Sequence, residues 1–97
     1  MGAFIIMPQA KRQLRRAMIW WLDNRDKAPW AFVEEFDETL SLIVENPTIG
    51  QPVRGRRPGM RRTLLERVRY YLYYRVNANG DVEVLSVWHA SRRPPRL

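Results

Sequence analysis

The side chains best placed to do chemistry in this chain are arginines and tyrosines set in alternation near its middle. Arg69, Tyr71, Tyr73 and Arg75 occupy every second position of one segment, so an extended strand would present all of them on one face. Of 17 basic residues, 15 are arginine and only Lys11 and Lys27 are lysine. Arginine offers a planar fork of donors that pairs with phosphate or carboxylate and stacks on rings, so the surplus points to a polyanionic partner: a nucleic acid or an acidic protein segment. The single histidine, His89, stands at the end of a strand-like run, where it is either a general acid near neutral pH or a packed or capping residue. With no cysteine and one histidine, the sequence excludes disulfides, cysteine nucleophiles and thiolate or His-rich metal sites, and no cofactor is expected.

The charge is unevenly distributed. Residues 1–22 carry four bases and no acid, residues 23–46 two bases and seven acids, and residues 47–97 eleven bases and three acids, for a net +7. The partner surface is therefore expected mainly on the second half. Arg61 and Arg62 precede the alternating segment, and Arg92 and Arg93 follow the last strand-like run. Trp20 and Trp30 fall off the apolar stripes of their helices and suggest a protein-binding surface.

The elements that must position these residues follow from periodicity. Residues 3–7 (AFIIM) read as a short strand buried on both faces. Pro8 suits a first helical position, and Leu14, Ala17, Met18, Trp21 and Leu22 trace one face of a helix ending near Asn24. Asp26 or a neighbour caps a second helix with Pro29 in its first turn, and Phe32, Phe36, Leu40, Ile43 and Val44 form its stripe. Glu34, Glu35, Asp37 and Glu38 complement the dipole of its N-terminal half. Asn46-Pro47 ends it. Residues 47–61 read as a Gly- and Pro-rich basic loop.

Three strands complete the chain: a weak one over Thr63–Glu66, a strong one over residues 68–76, and residues 82–89, the last two joined by a turn at Asn79-Gly80. Val68, Tyr70, Leu72, Tyr74 and Val76 face the helices, leaving the arginine–tyrosine face open. Trp88 shares its parity with Val82 and Val84, which assigns it to core or edge packing. Ala90–Leu97 is expected to fray. The fold class is α+β: an N-terminal strand, an antiparallel helical hairpin and a three-stranded antiparallel meander, in one domain spanning residues 1–97. The apolar run 4–7 is too short for a signal peptide, and no stretch approaches a membrane span, so a soluble cytoplasmic protein is expected.

In this order and spacing the sequence resembles the RelE/ParE family of type II toxin–antitoxin toxins, on its ParE side. The resemblance rests on Pro8-Gln9-Ala10, on Asn46-Pro47-Thr48-Ile49-Gly50-Gln51-Pro52, on Gly59-Met60-Arg61-Arg62, on Arg69-Tyr70 through Tyr74-Arg75-Val76, and on Val87-Trp88-His89. It implies a growth-inhibiting, plasmid-stabilisation-like toxin neutralised by a cognate acidic antitoxin in a hetero-oligomer. The antitoxin's carboxylates would meet arginines such as Arg61, Arg62, Arg69 and Arg75.

The family's branches differ in target. RelE-like members cleave mRNA in the ribosomal A site, whereas ParE-like members poison DNA gyrase. Metal-free RNA cleavage needs a base, an acid and cations on the developing phosphorane charge. The resemblance offers Glu66 as base and His89 as acid, as in the YoeB-like variant, with Arg69 or Arg75 as phosphate clamp. However, Tyr71 stands where the nuclease branch places an arginine, and no lysine follows Lys27. The leading reading is therefore a non-enzymatic gyrase inhibitor. A ribosome-dependent mRNA endonuclease and a basic nucleic-acid-binding domain are the alternatives.

Overall fold

The computed structural model describes residues 3–24, 30–55, 57–95 and 97. In chain order they form β1 (Phe4–Ile6), α1 (Pro8–Asn24), α2 (Ala31–Glu45), a 3-10 turn (Pro47–Ile49), β2 (Gln51–Pro52), β3 (Arg61–Leu65), β4 (Tyr70–Val76) and β5 (Val82–His89). The five strands make one sheet in the order β1-β5-β4-β3-β2, with β1 parallel to β5 and every other pair antiparallel. Both helices pack on one face of it, giving the expected α+β layering.

The apolar stripes account for this packing. Ala10 and Ala17 of α1 and Phe32, Phe36, Leu40 and Ile43 of α2 are buried against Leu65, Val68, Leu72, Tyr74, Val82, Val84 and Val87. Removing a side chain such as Phe32 from water contributes on the order of 2–3 kcal/mol. Leu22, expected on the α1 stripe, is instead exposed. Trp30 occupies the N-cap of α2 without a side-chain capping bond. The expected cap at Asp26 and Pro29 lies outside the described residues.

Five expectations are corrected. First, β1 is not buried on both faces: as an edge strand it leaves Phe4 and Ile5 exposed, and only Ile6 packs on the core. Second, residues 47–61 are not simply a loop, because they contain the 3-10 turn and β2, which pairs with β3. Here the hydroxyl of Tyr74 donates to the Pro47 carbonyl (2.6 Å) and accepts from the Gly50 amide (2.9 Å). Burial pushes the Tyr74 hydroxyl above its usual range, against opposing effects of the Gly50 bond and of Arg61.

Third, β3 spans Arg61–Leu65 and β4 begins at Tyr70, so Glu66 to Arg69 form a four-residue turn closed by the Leu65–Tyr70 pair. Arg69 is therefore off the strand face, with φ at 63°, in the left-handed region that favours glycine. Fourth, a bulge in β5 leaves Leu85 without a partner on β4, between the pairs Tyr74–Val84 and Tyr73–Ser86. An extra residue inverts the side-chain alternation beyond it. Val87 thus joins the helix-side core, and Trp88 turns to the opposite face, away from Val82 and Val84.

Fifth, that opposite face is not open. Met60, Tyr73 and Leu85 form a second buried cluster, flanked by Val53, Tyr71, Trp88 and Leu97. Tyr73 is only 2% exposed. The C-terminal segment helps to cover this face rather than fraying: Trp88 Nε1 donates to the Arg93 carbonyl (2.6 Å), and Arg92 stacks on the Trp88 ring (4.1 Å). The Asn79-Gly80 turn forms as expected, with Gly80 at φ 83° and Asn77 Oδ1 accepting from the amides of Asn79 and Asp81. No helix among the described residues is long and apolar enough to cross a membrane.

Candidate partner-binding groove

A groove of about 770 Å³ opens between the C-terminal half of α1, the β3–β4 turn and the end of β5. Helical spacing places Gln13, Arg16, Trp20 and Trp21 on the α1 wall. The α1 wall is fixed by Gln13, whose Oε1 accepts from the Ser86 hydroxyl and the Val87 amide, both at 2.9 Å. These bonds fall at the bulge, where the regular ladder of β5 is interrupted.

The second wall is the turn carrying Arg67, Val68 and Arg69. The Glu35 carboxylate of α2 accepts from the Arg67 amide (2.9 and 3.1 Å to its two oxygens) and from the Val68 amide (3.0 Å). The Arg69 amide donates to the Leu65 carbonyl, and its own carbonyl accepts from Ala90, both at 2.8 Å. Both backbone groups of this strained residue are thus satisfied.

The floor is an aromatic chain that leads into the core. The rings of His89 and Tyr70 meet edge to face at 5.0 Å, and Tyr70 meets Phe32 in the same way at 5.0 Å. Burial raises the Tyr70 hydroxyl above its usual range, and the charge of Arg92 opposes this. Nδ1 of His89 accepts from the Ser91 amide (3.1 Å) and lies 2.6 Å from the Ser91 hydroxyl. Acceptance at Nδ1 puts the proton of the neutral ring on Nε2, which leaves a donor for a ligand.

Electrostatically the groove is one-sided. Among the described residues its lining holds Arg16, Arg67, Arg69 and Arg92 and no carboxylate. Arg67 pairs with Glu34 at 3.7 Å across an exposed surface, a contact too screened to cancel its charge. The chemistry on offer is bidentate capture of anionic groups beside exposed indole surface. Among the described residues no group of three or more His, Asp or Glu side chains could hold a metal ion.

Of the residues singled out in the sequence, the fold gathers Trp20, Arg69, His89 and Arg92 into this groove. The others lie elsewhere. Glu66 is exposed in the turn and is not part of the lining, so the suggested base does not share the groove with His89. Arg61 spends its guanidinium on the carbonyls of Gly50 (2.7 Å) and Thr48 (3.2 Å). Arg62 lies over the Tyr71 ring (4.0 Å) and donates to the Tyr73 hydroxyl (3.3 Å). Arg75 bonds its cross-strand neighbour Glu83 at 2.8 Å and holds that carboxyl below its usual range. Trp30 is 58% exposed and lies outside the groove lining. Arg93 contributes its carbonyl to Trp88.

Sequence reasoning missed Arg16, Arg67, Gln13 and Glu35. The first could have been found from its position one helical turn before Trp20. The other three depend on contacts between segments distant in the chain and left no local signal.

Comparison with known proteins agrees with the fold. The family model described as the ParE toxin of the type II toxin–antitoxin system parDE matches residues 4–94. No curated protein matched the sequence. Among solved structures, the chromosomal ParDE toxin–antitoxin system of P. aeruginosa is similar with a TM-score of 0.75 at 19% identity, covering 94% of this chain and 98% of that one. The isolated RelE toxin of E. coli is similar with a TM-score of 0.67 at 22% identity, covering 96% of this chain and 88% of that one. At such identities the structural likeness speaks for the fold, and the family match over nearly the whole sequence makes the assignment: this chain belongs to the ParE toxin family of type II toxin–antitoxin systems.

Proposed function

We propose that the protein is a cytoplasmic toxin that arrests growth by binding DNA gyrase, without chemistry of its own, and is held inactive by a cognate acidic antitoxin in a hetero-oligomer. The observation that carries this reading is the groove, which among the described residues has four arginines, no carboxylate, and exposed indole at its rim. An acidic, amphipathic segment that folds on binding would place carboxylates on Arg16, Arg69 and Arg92 and an apolar anchor against Trp20. A two-site catalytic pair is not supported, because Glu66 stands outside the groove that holds His89.

The test is supercoiling by purified gyrase with the toxin in stoichiometric excess. Inhibition that an added antitoxin reverses supports the reading; supercoiling that proceeds unchanged refutes it.

One observation favours a second reading, a ribosome-dependent mRNA endonuclease: His89 and Arg69 share the groove, so an acid and a phosphate clamp are together. Primer extension on mRNA from translating extracts decides. Cleavage lost in His89→Ala would favour the nuclease, and intact mRNA would remove it.

A further inference from the structure

We infer that Glu35, on the far helix α2, is the positioning residue of the groove: its carboxylate sets the β3–β4 turn in the one conformation that aims Arg67 and Arg69 at a ligand. This rests on the proposed role of the groove in binding acidic partners.

Successive backbone N–H groups in a tight turn form a small concavity that attracts an anion. Here the amides of Arg67 and Val68 make that concavity, and Glu35 fills it from within the same chain at 2.9–3.1 Å. The residue after these two amides is Arg69, at φ 63°. A non-glycine residue persists in that region only where its surroundings fix it. The fixing groups are the Leu65 and Ala90 backbone bonds at its own amide and carbonyl, and the Glu35 clasp just before it.

Val68, between the two arginines, is buried at 3% exposure, so the turn is tied to the core at one residue and to α2 at two amides. Arg67 and Arg69, which flank it, line the groove. Helix propensity and dipole account for an acid at position 35, but not for three hydrogen bonds to a turn more than thirty residues away. Oε1 alone accepts from both amides, so the reach of the side chain decides the clasp. Aspartate keeps the charge but is one methylene shorter, and from the same helix position its carboxylate stops short of the two N–H groups.

The experiment uses the full chain with Glu35→Asp, Arg67→Ala/Arg69→Ala and the triple variant. Amide exchange is measured by NMR, and binding of a fluorescein-labelled oligoglutamate peptide is measured over a range of salt concentrations. In the unmodified protein the Arg67 and Val68 amides should exchange slowly, and Glu35→Asp should release both. Glu35→Asp, which leaves the net charge unchanged, should also weaken peptide binding by about tenfold, the size of one charge-assisted contact, and flatten its salt dependence. Added to Arg67→Ala/Arg69→Ala, Glu35→Asp should cost nothing more, because it acts through those two side chains.

A purely structural role would lower the melting temperature yet leave the affinity and salt slope of the folded protein unchanged, and that result overturns the inference. Fast exchange of both amides in the unmodified protein overturns it without any variant. If Arg67→Ala/Arg69→Ala binds the peptide as well as the unmodified protein does, the groove reading itself fails, and the inference with it.

Discussion

Replacing Arg69 by glycine separates what the fold needs from what the groove needs, because the two should respond in opposite directions. At φ 63° the Cβ of Arg69 crowds the backbone, at a cost of about 1–2 kcal/mol for a non-glycine residue. Glycine removes that cost but adds about 0.4–1 kcal/mol of backbone freedom to the unfolded chain. The net change is a stabilisation between zero and about 1.6 kcal/mol. In a chain of this length that raises the melting temperature by zero to about 13 °C. The arginine is exposed and its backbone bonds survive the substitution, so little else is lost from the fold.

The groove, however, loses one of four cations. A lost charge-assisted bond of about 1.5–3 kcal/mol weakens partner binding by roughly 10- to 100-fold. Arg69→Ala is the control: it loses the same cation but keeps the strain, so its melting temperature should not rise. Gly80→Ala, at φ 83°, should fall by about the net amount that Arg69→Gly gains, because the strain and entropy terms both reverse sign. Thermal unfolding followed by circular dichroism gives the first quantity, and gyrase inhibition or antitoxin affinity gives the second. A melting temperature that falls in Arg69→Gly refutes the strain argument. One that rises while affinity and toxicity stay intact refutes the groove.

Other perturbations test the framework around the groove. A Cβ at Gly50 would run into the Tyr74 hydroxyl and ring, so Gly50→Ala should destabilise by about 1–3 kcal/mol in chemical denaturation, although its backbone angles suit any residue. Tyr73→Ala should cost about 3 kcal/mol or more, as a core deletion does, and Tyr71→Ala clearly less, because only Tyr73 is fully enclosed. Equal, small losses would restore the open-face picture. The Glu83 carboxyl is depressed by its hydrogen bond to Arg75, so the stability it contributes is present above the ordinary carboxylate range and is lost as pH falls through its lower folded value. Arg75→Met should abolish that part of the acid dependence, as read from melting temperatures between neutral and strongly acidic pH.

Much of the architecture was legible because it is written in local periodicity. The stripe Phe32-Phe36-Leu40-Ile43 repeats at helical spacing, Tyr70-Leu72-Tyr74 alternates at strand spacing, and Asn79-Gly80 carries its own turn geometry. The short motifs running from Pro8 to His89 pointed to the family in the same way. Such signals need only neighbours a few residues apart.

The site was less legible, because period-two reasoning holds only while a strand stays regular. A four-residue turn removed Arg69 from the face of Tyr71 and Tyr73, and one unpaired residue, Leu85, sent Trp88 to the side opposite Val84. Neither event marks the sequence, since each is decided by which segments pair and where the chain must close. The sequence by itself determined that arginines outnumber every other charged residue, and which elements would carry them. Only the tertiary structure decided which arginines are spent inside the fold, as Arg61 and Arg75 are on Gly50 and Glu83, and which converge, as Arg16, Arg67, Arg69 and Arg92 do. The physical reason is that a guanidinium is committed by whatever acceptor the folded backbone brings within about 3 Å of it, and that acceptor lies in another segment of the chain.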